Sequence, residues 1–305
     1  MSRTPVVRTR SSSGMIPRIS LADRITIMNE KELKALVALL DDDDTEVLHH
    51  VEDKIISYGN SIIPYLEHEW ENSFNPDVQR RIEELIHTLQ NDELKNRLRH
   101  WYRQENPDLL EGMWLVATYQ YPDITLETIR EQLEQIYYEA WLEHKGEAHP
   151  FDQVKILNSV IFNKLKFSAN TKNFHAPANS MINRVLETHK GNPISLCVVY
   201  MLVAERLNLP VYGVNLPQLF ILTFKTDQIQ FYINAFNRGL IFSKQDIDNY
   251  LKQLKLSQDD MFYEPCSNVD IIRRVLRNLV NSFEKLDEYE KASEVQDLLA
   301  LISED

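Results

Sequence analysis

Few side chains in this 305-residue chain could do covalent chemistry: it has two cysteines, Cys197 and Cys266, and nine histidines. A thiol attacks as its thiolate, so it needs an imidazole within hydrogen-bond reach and surroundings that lower its pKa. Cys197 lies in PISLCVVYMLVA, a run with no charge, where a thiol reads as buried and inert. His175, on the preceding loop beside Phe174 and Pro177, is the imidazole a Cys197-dependent hydrolase or acyltransferase would use; structural packing is its other reading. Cys266 follows Pro265 with no histidine near it in sequence and reads as a plain surface or half-buried thiol. His49 and His50 are adjacent, whereas zinc ligands on a helix stand three or four apart. His144 and His149 are isolated, and the acidic run over residues 41–44 lacks the glycine and closing glutamate of a calcium loop. No glycine-rich phosphate loop occurs, so neither a metal nor a cofactor is expected.

The elements that would position such groups are mostly helices. Seven glycines and twelve prolines are few for this length, which predicts well over half helix and two or three cooperating units. The net charge of -13 argues against nucleic acid or an anionic membrane as partner, since both need a basic surface. Two cysteines without a CxxC fit a reducing, cytoplasmic compartment. The charge-free run over 193–204 is roughly half a bilayer span and reads as a buried helix. Residues 1–28 carry no acid before Asp23 and read as a disordered tail, with a transit peptide or a start codon set too far upstream of Met28 as alternatives.

From residue 29 to about 120 apolar residues recur at three and four, as in Leu33, Leu36, Val37 and Leu40, punctuated by Asp44, Gly59 and Asn75-Pro76-Asp77. This region is similar to HEAT-type helical repeats, with a non-repeating bundle as the rival reading. A core over 121–260 continues with helices around the 122–125 turn, a helix in DQVKILNSVIFNKLKF and a long loop, SANTKNFHAPANS. Aromatic residues at helical spacing across the stretch from Asp108 to His144, such as Trp114, Tyr137 and Trp141, read as core filler. VYGVNLP, QLFILTFKT and QIQFYINAF are short, β-branched or aromatic, and predict a small sheet. Residues 261–305 end in two helices joined at Asp287 and Glu288, a helical hairpin.

The order of a buried helix followed by two strands is that of papain-like cores. The segment NFHAPANSMINRVLETHKGNPISLCVVYMLVAERLNLPVYGVNLPQLFILTF, with INAFNRGLIFS downstream, resembles the transglutaminase-like core of the bacterial SirB-one family, a domain related to one in eukaryotic F-box proteins. The resemblance runs from about residue 125 to 305 and includes Asn179, Ser180, Gly191, Pro193, Ile194, Ser195, Leu196, Pro210, Pro217, Phe220 and Asn237. It implies an α+β, predominantly helical fold with tetratricopeptide-like helices at the C-terminus. Active transglutaminases hold a cysteine at the start of the buried helix, a histidine on the first strand and an acid or amide on the next. Aligned on the helix end at Asn208-Leu209-Pro210, those positions fall on Pro193, Leu219 and Asn234. Proline and leucine supply neither nucleophile nor base, so catalysis at this site is not expected.

What remains is a protein-binding or regulatory scaffold, with a displaced Cys197/His175 hydrolase or acyltransferase as the alternative. The candidate cleft residues are Asn179, Ser180, Asn192, Ser195 and Gln218, with Arg273, Arg274 and Arg277 on the first helix of the C-terminal pair. Capping and loop stitching is the competing role for the polar group, and ion pairing for the arginines.

Overall fold

The computed structural model describes residues 30–303, Lys145 and Glu147 apart, so the tail read over 1–28 lies outside the described residues. The chain divides into two compact units, one up to Gln90 and one from Asn91.

The first unit is helical. Helices α1 (Glu30–Ala38), α2 (Thr45–Ile56), α3 (Ile63–Asn72) and the beginning of α4 (Pro76–Tyr102) bury one apolar stripe each, including Leu33, Val37, Val51, Ile55, Leu66 and Ile82. The acidic run before α2 works as a cap: Asp44 Oδ1 accepts from the Glu46 amide at 2.9 Å. Asn75 does the same for α4, accepting from the Asp77 amide at 3.0 Å ahead of a proline in the first turn. Gly59, at φ +65°, turns the chain out of α2 into a short 3-10 segment, Gly59–Ile62, that leads into α3.

The second unit holds helices α5 (Leu109–Thr118), α6 (Leu126–Glu143), α7 (Pro150–Asn158), α8 (Ile182–Thr188) and α9 (Pro193–Arg206), followed by α10 (Lys244–Gln253), α11 (Asn268–Lys285) and α12 (Tyr289–Leu301). The strands are β1 (Ser168–Ala169), β2 (Lys190–Gly191), β3 (Val211–Leu216), β4 (Leu219–Lys225), β5 (Gln230–Asn234) and β6 (Leu240–Phe242). Strands β3 to β6 form an antiparallel meander in sequence order, and β1 and β2 make a two-residue parallel pair. Every residue of α9 from Ile194 to Ala204 is buried, because α6, α8 and the sheet surround it, and so the helix needs no polar face. Strand β4 is covered on both faces: Phe220, Leu222 and Phe224 join the main core with α9, while Ile221 packs with Ile247 and Leu251 of α10. The C-terminal pair α11 and α12 turns back on itself at Asp287, φ +60°. Among the described residues, no helix is long and apolar enough to cross a membrane.

Two features depart from the sequence reading. The helix in DQVKILNSVIFNKLKF stops at Asn158, and residues Ser159–Lys164 continue as a π-helix, with the Leu165 amide bonding back to Val160 O at 2.9 Å. The long loop, read as structureless, contributes β1, which pairs with Lys190–Gly191 just before α9.

Helix α5 packs against α11 and Trp101 at Gly112. A Cβ there would stand 2.7 Å from Trp101 Cζ2 and 2.9 Å from Ile272 Cγ1, and Trp101 is held by its Nε1–H donating to Asp108 O at 2.7 Å. Gly112→Ala is therefore expected to destabilise the unit by about 1–2 kcal/mol in urea titrations, overpacking outweighing the helix propensity gained. A variant as stable as the parent would mean that the indole shifts freely.

Candidate functional site

The start of α9 is the pivot of the site. Asn192 and Ser195 form a reciprocal cap: Asn192 Oδ1 accepts from the Ser195 amide, and the Asn192 amide donates to Ser195 Oγ, both at 3.0 Å. Asn192 Nδ2 also donates to Ser180 Oγ at 2.9 Å. Asn179, next in the chain, donates through Nδ2 to Asn173 O at 2.7 Å and Phe174 O at 2.9 Å, and accepts from Asn170 Nδ2 at 2.8 Å. All four residues are buried. Their polar atoms tie the 170–180 loop to the helix start, and the loop in turn presents Phe174 and His175 outward. Gly191 is close-packed against the same assembly, since a Cβ there would collide with Ser195 Oγ.

A cleft of about 330 Å³ opens at this point. Its walls are Asn192, Pro193 and Ile194 from the start of α9, Gln218 and Phe220 from the β3–β4 hairpin, Phe174 and His175 from the loop, and Arg274, Asn278, Asn281, Ser282 and Lys285 from α11. Pro193 occupies the first helical position, where its missing N–H leaves no bond unmade. Gln218 holds φ +61° in the two-residue turn Pro217–Gln218 and lines the cleft.

Leu219 does not face the cleft. Side chains alternate along β4, so Leu219 packs with Ile221, Val214 and Leu216 on the α10 side of the sheet while Phe220 faces α9. The residue read as the vestigial base position thus sits on the opposite face, a correction that follows from the period of two. Asn234 is likewise outside the cleft lining: its Oδ1 accepts from the Asn237 amide at 3.1 Å and caps the turn Ala235–Asn237. Of the arginines, Arg274 lines the cleft and donates through Nη1 to Asn215 Oδ1 at 2.8 Å, and burial with the neighbouring Arg277 charge lowers its pKa. Arg273 instead donates through Nε to Ile302 O at 2.7 Å and fastens the hairpin, and Arg277 is exposed.

The thiols lie apart from this opening. Cys197 is fully buried one turn into α9, its Sγ 3.7 Å from Phe220 O, and burial pushes its pKa well up. Cys266, partly buried, is pushed up to about 12 by burial and then by the Asp270 charge. Among the described residues, neither thiol hydrogen-bonds an imidazole, and His175 is exposed with its ring edge-on to Phe174.

Sequence reasoning did not pick out Asn278, Asn281, Ser282 or Lys285. The signal was present: with Arg274 they recur at three and four along α11, forming a polar row that borders the apolar stripe of Ile271, Val275 and Leu279.

The transglutaminase-like superfamily model matches residues 127–277. A UPF0162 protein of Xylella fastidiosa (strain Temecula1 / ATCC 700964) is 29% identical over 201 residues, covering 63% of this chain and 71% of that protein. UPF0162 protein YchA of Escherichia coli (strain K12) is 26% identical over 195 residues, with 63% and 72% covered. Human F-box only protein 21 is 24% identical over 187 residues, which is 51% of this chain and 30% of that protein. No solved structure matches the chain.

Proposed function

With a transglutaminase-like core domain, homologous to the UPF0162 proteins, at its centre, we propose that this chain works without catalysis, holding a protein or peptide partner in the cleft at the start of α9. The observation that carries the reading is Pro193 at the one helix start that opens into the cleft, with the nearest thiol of α9 buried a turn deeper. A nucleophile needs exposure, a lowered pKa and a base, and Cys197 has the opposite of the first two. The rival pair would require that thiol to meet His175, whose ring stands exposed on the loop. The acidic surface and low cysteine content favour a cytoplasmic protein partner over nucleic acid or membrane.

Alkylation kinetics test this reading. Iodoacetamide at neutral pH should label Cys197 at least about a thousandfold more slowly than a free thiol, because only opened molecules react. Turnover of an activated acyl ester should be the same for the parent and Cys197→Ala. Fast labelling of the native protein with a low apparent pKa, or ester turnover lost in the variant, would sink the non-catalytic reading.

A further inference from the structure

The cleft's chemistry differs from that of the chain around it. Acids outnumber bases by 46 to 33 over the whole sequence, yet no Asp or Glu lines the cleft. Its charged side chains are Arg274 and Lys285, both from α11, with Arg277 close enough to Arg274 to disfavour its charge. Among the described residues, none of these three cations pairs with a carboxylate. Lys285 suits the C-terminal end of its own helix, while the half-buried Arg274 is met by neutral acceptors, Asn215 Oδ1 at 2.8 Å and Leu216 O at 3.4 Å. A guanidinium that is desolvated beside a second cation, with no anion supplied by the fold, is under electrostatic strain that a bound anion relieves. The opposite wall is the start of α9, whose dipole adds partial positive charge from a 14-residue helix. Asn278 and Asn281 on α11 and Gln218 on the β3–β4 hairpin also line it, side chains that both donate and accept, as a peptide backbone requires. Phe174, 47% exposed, offers an apolar shelf at the rim.

We propose that this cleft recognises a peptide segment bearing several carboxylates, its acidic side chains met separately by Arg274 and Lys285, about three turns apart along α11, and its backbone met by the cleft amides. The inference rests on the non-catalytic binding reading above and names the class of partner. An acidic partner is a demanding one for a chain of net charge -13, because long-range repulsion opposes the approach. At about 0.15 M salt that repulsion is screened beyond about 8 Å, whereas contacts inside the cleft persist. Selectivity is therefore local and separable from net charge.

The experiment uses the full chain and a fluorescein-labelled octapeptide of alternating glycine and glutamate, followed by fluorescence anisotropy at that salt concentration. The glutamate peptide should bind about tenfold or more tightly than its glutamine counterpart. Lys285→Glu should weaken it by about tenfold, and Arg277→Glu, at an exposed position, by several-fold. Lys34→Glu makes the same change in net charge within the first unit and should leave affinity within about twofold. Equal binding of the two peptides, or a Lys285→Glu effect no larger than that of Lys34→Glu, would overturn the proposal. So would displacement of the probe by inorganic phosphate at equal anion concentration, which would make the cleft a free-anion site. Mass spectrometry of the recovered peptide separates the two readings: an intact but unbound peptide defeats only the acidic-peptide inference, while a bound peptide that is cleaved or acylated defeats the non-catalytic one.

Discussion

Asn192→Ala is expected to lower the stability of the second unit by about 2–4 kcal/mol, which for a unit of this size is a drop of roughly 5–12 °C in Tm. Two losses combine. The Ser195 amide loses Oδ1 as its acceptor at the start of a fully buried helix, costing about 1 kcal/mol as a cap. Ser180 Oγ, 1% exposed by residue, loses the Nδ2 donor with no water to replace it, adding about 1–3 kcal/mol. Asn192→Asp separates these contributions. Its carboxylate still caps and suits the helix dipole, and the Ser180 hydroxyl can rotate to donate to it, so the loss should be less than half that of alanine. Thermal melts of both variants check the ordering; equal losses would show that packing, not capping, sets the contribution of Asn192. Because the same residue forms one wall of the cleft, alanine should also weaken acidic-peptide binding under conditions where the protein remains folded.

The boundaries of α9 could be read from sequence because local chemistry sets them. Asn192 and Pro193 are an N-cap and a first-turn proline, and Asn208 takes φ +56° where the chain leaves the helix, with the Leu209 amide bonding back to Ala204 O at 2.9 Å. The hairpin was legible for the same reason, Pro217 and Gln218 dividing two β-branched runs. The β1–β2 pair was not, since two residues carry no periodicity and Ser168 meets Lys190 only through the tertiary fold. The π-helix was hidden because an apolar pattern at three and four is shared by α and π geometry. At the site, Asn179, Ser180, Asn192 and Ser195 were identifiable as polar residues clustered around a helix start. Which way they face was not, and the structure turns them inward as stitching. Leu219 shows the limit most plainly: alignment gives a position along a strand, while the face depends on register, and here the register gives the cleft to Phe220.

Raising the pH from 8 to 10 is expected to cost the second unit about 3 kcal/mol of stability, with buried Cys197 responsible for close to half. Its thiol has an ordinary value of 9.0, and burial raises it well above that in the folded protein. Between those two values the folded state holds a proton that the unfolded state has released, so stability is complete below pH 9 and falls as pH rises. At pH 10 that is about 1.4 kcal/mol from Cys197, with a smaller share from the partly exposed Cys266. The remainder comes from the tyrosines: Tyr200, fully buried, and Tyr232, pushed up to about 12 by burial, begin to contribute as pH passes their ordinary 10.0. Urea titrations at the two pH values give the loss, and Cys197→Ala assigns it. Whatever the variant loses at pH 8 from its smaller side chain, its further loss on going to pH 10 should be smaller than the parent's by about 1.4 kcal/mol. The sign also separates a buried core thiol from a nucleophile. A catalytic thiolate has a lowered pKa, so its folded state sheds the proton first and stability rises with pH up to the ordinary thiol value. Removing such a residue would make the loss between pH 8 and pH 10 larger, so an alanine variant that steepens the decline would mean that Cys197 is ionised in the native protein.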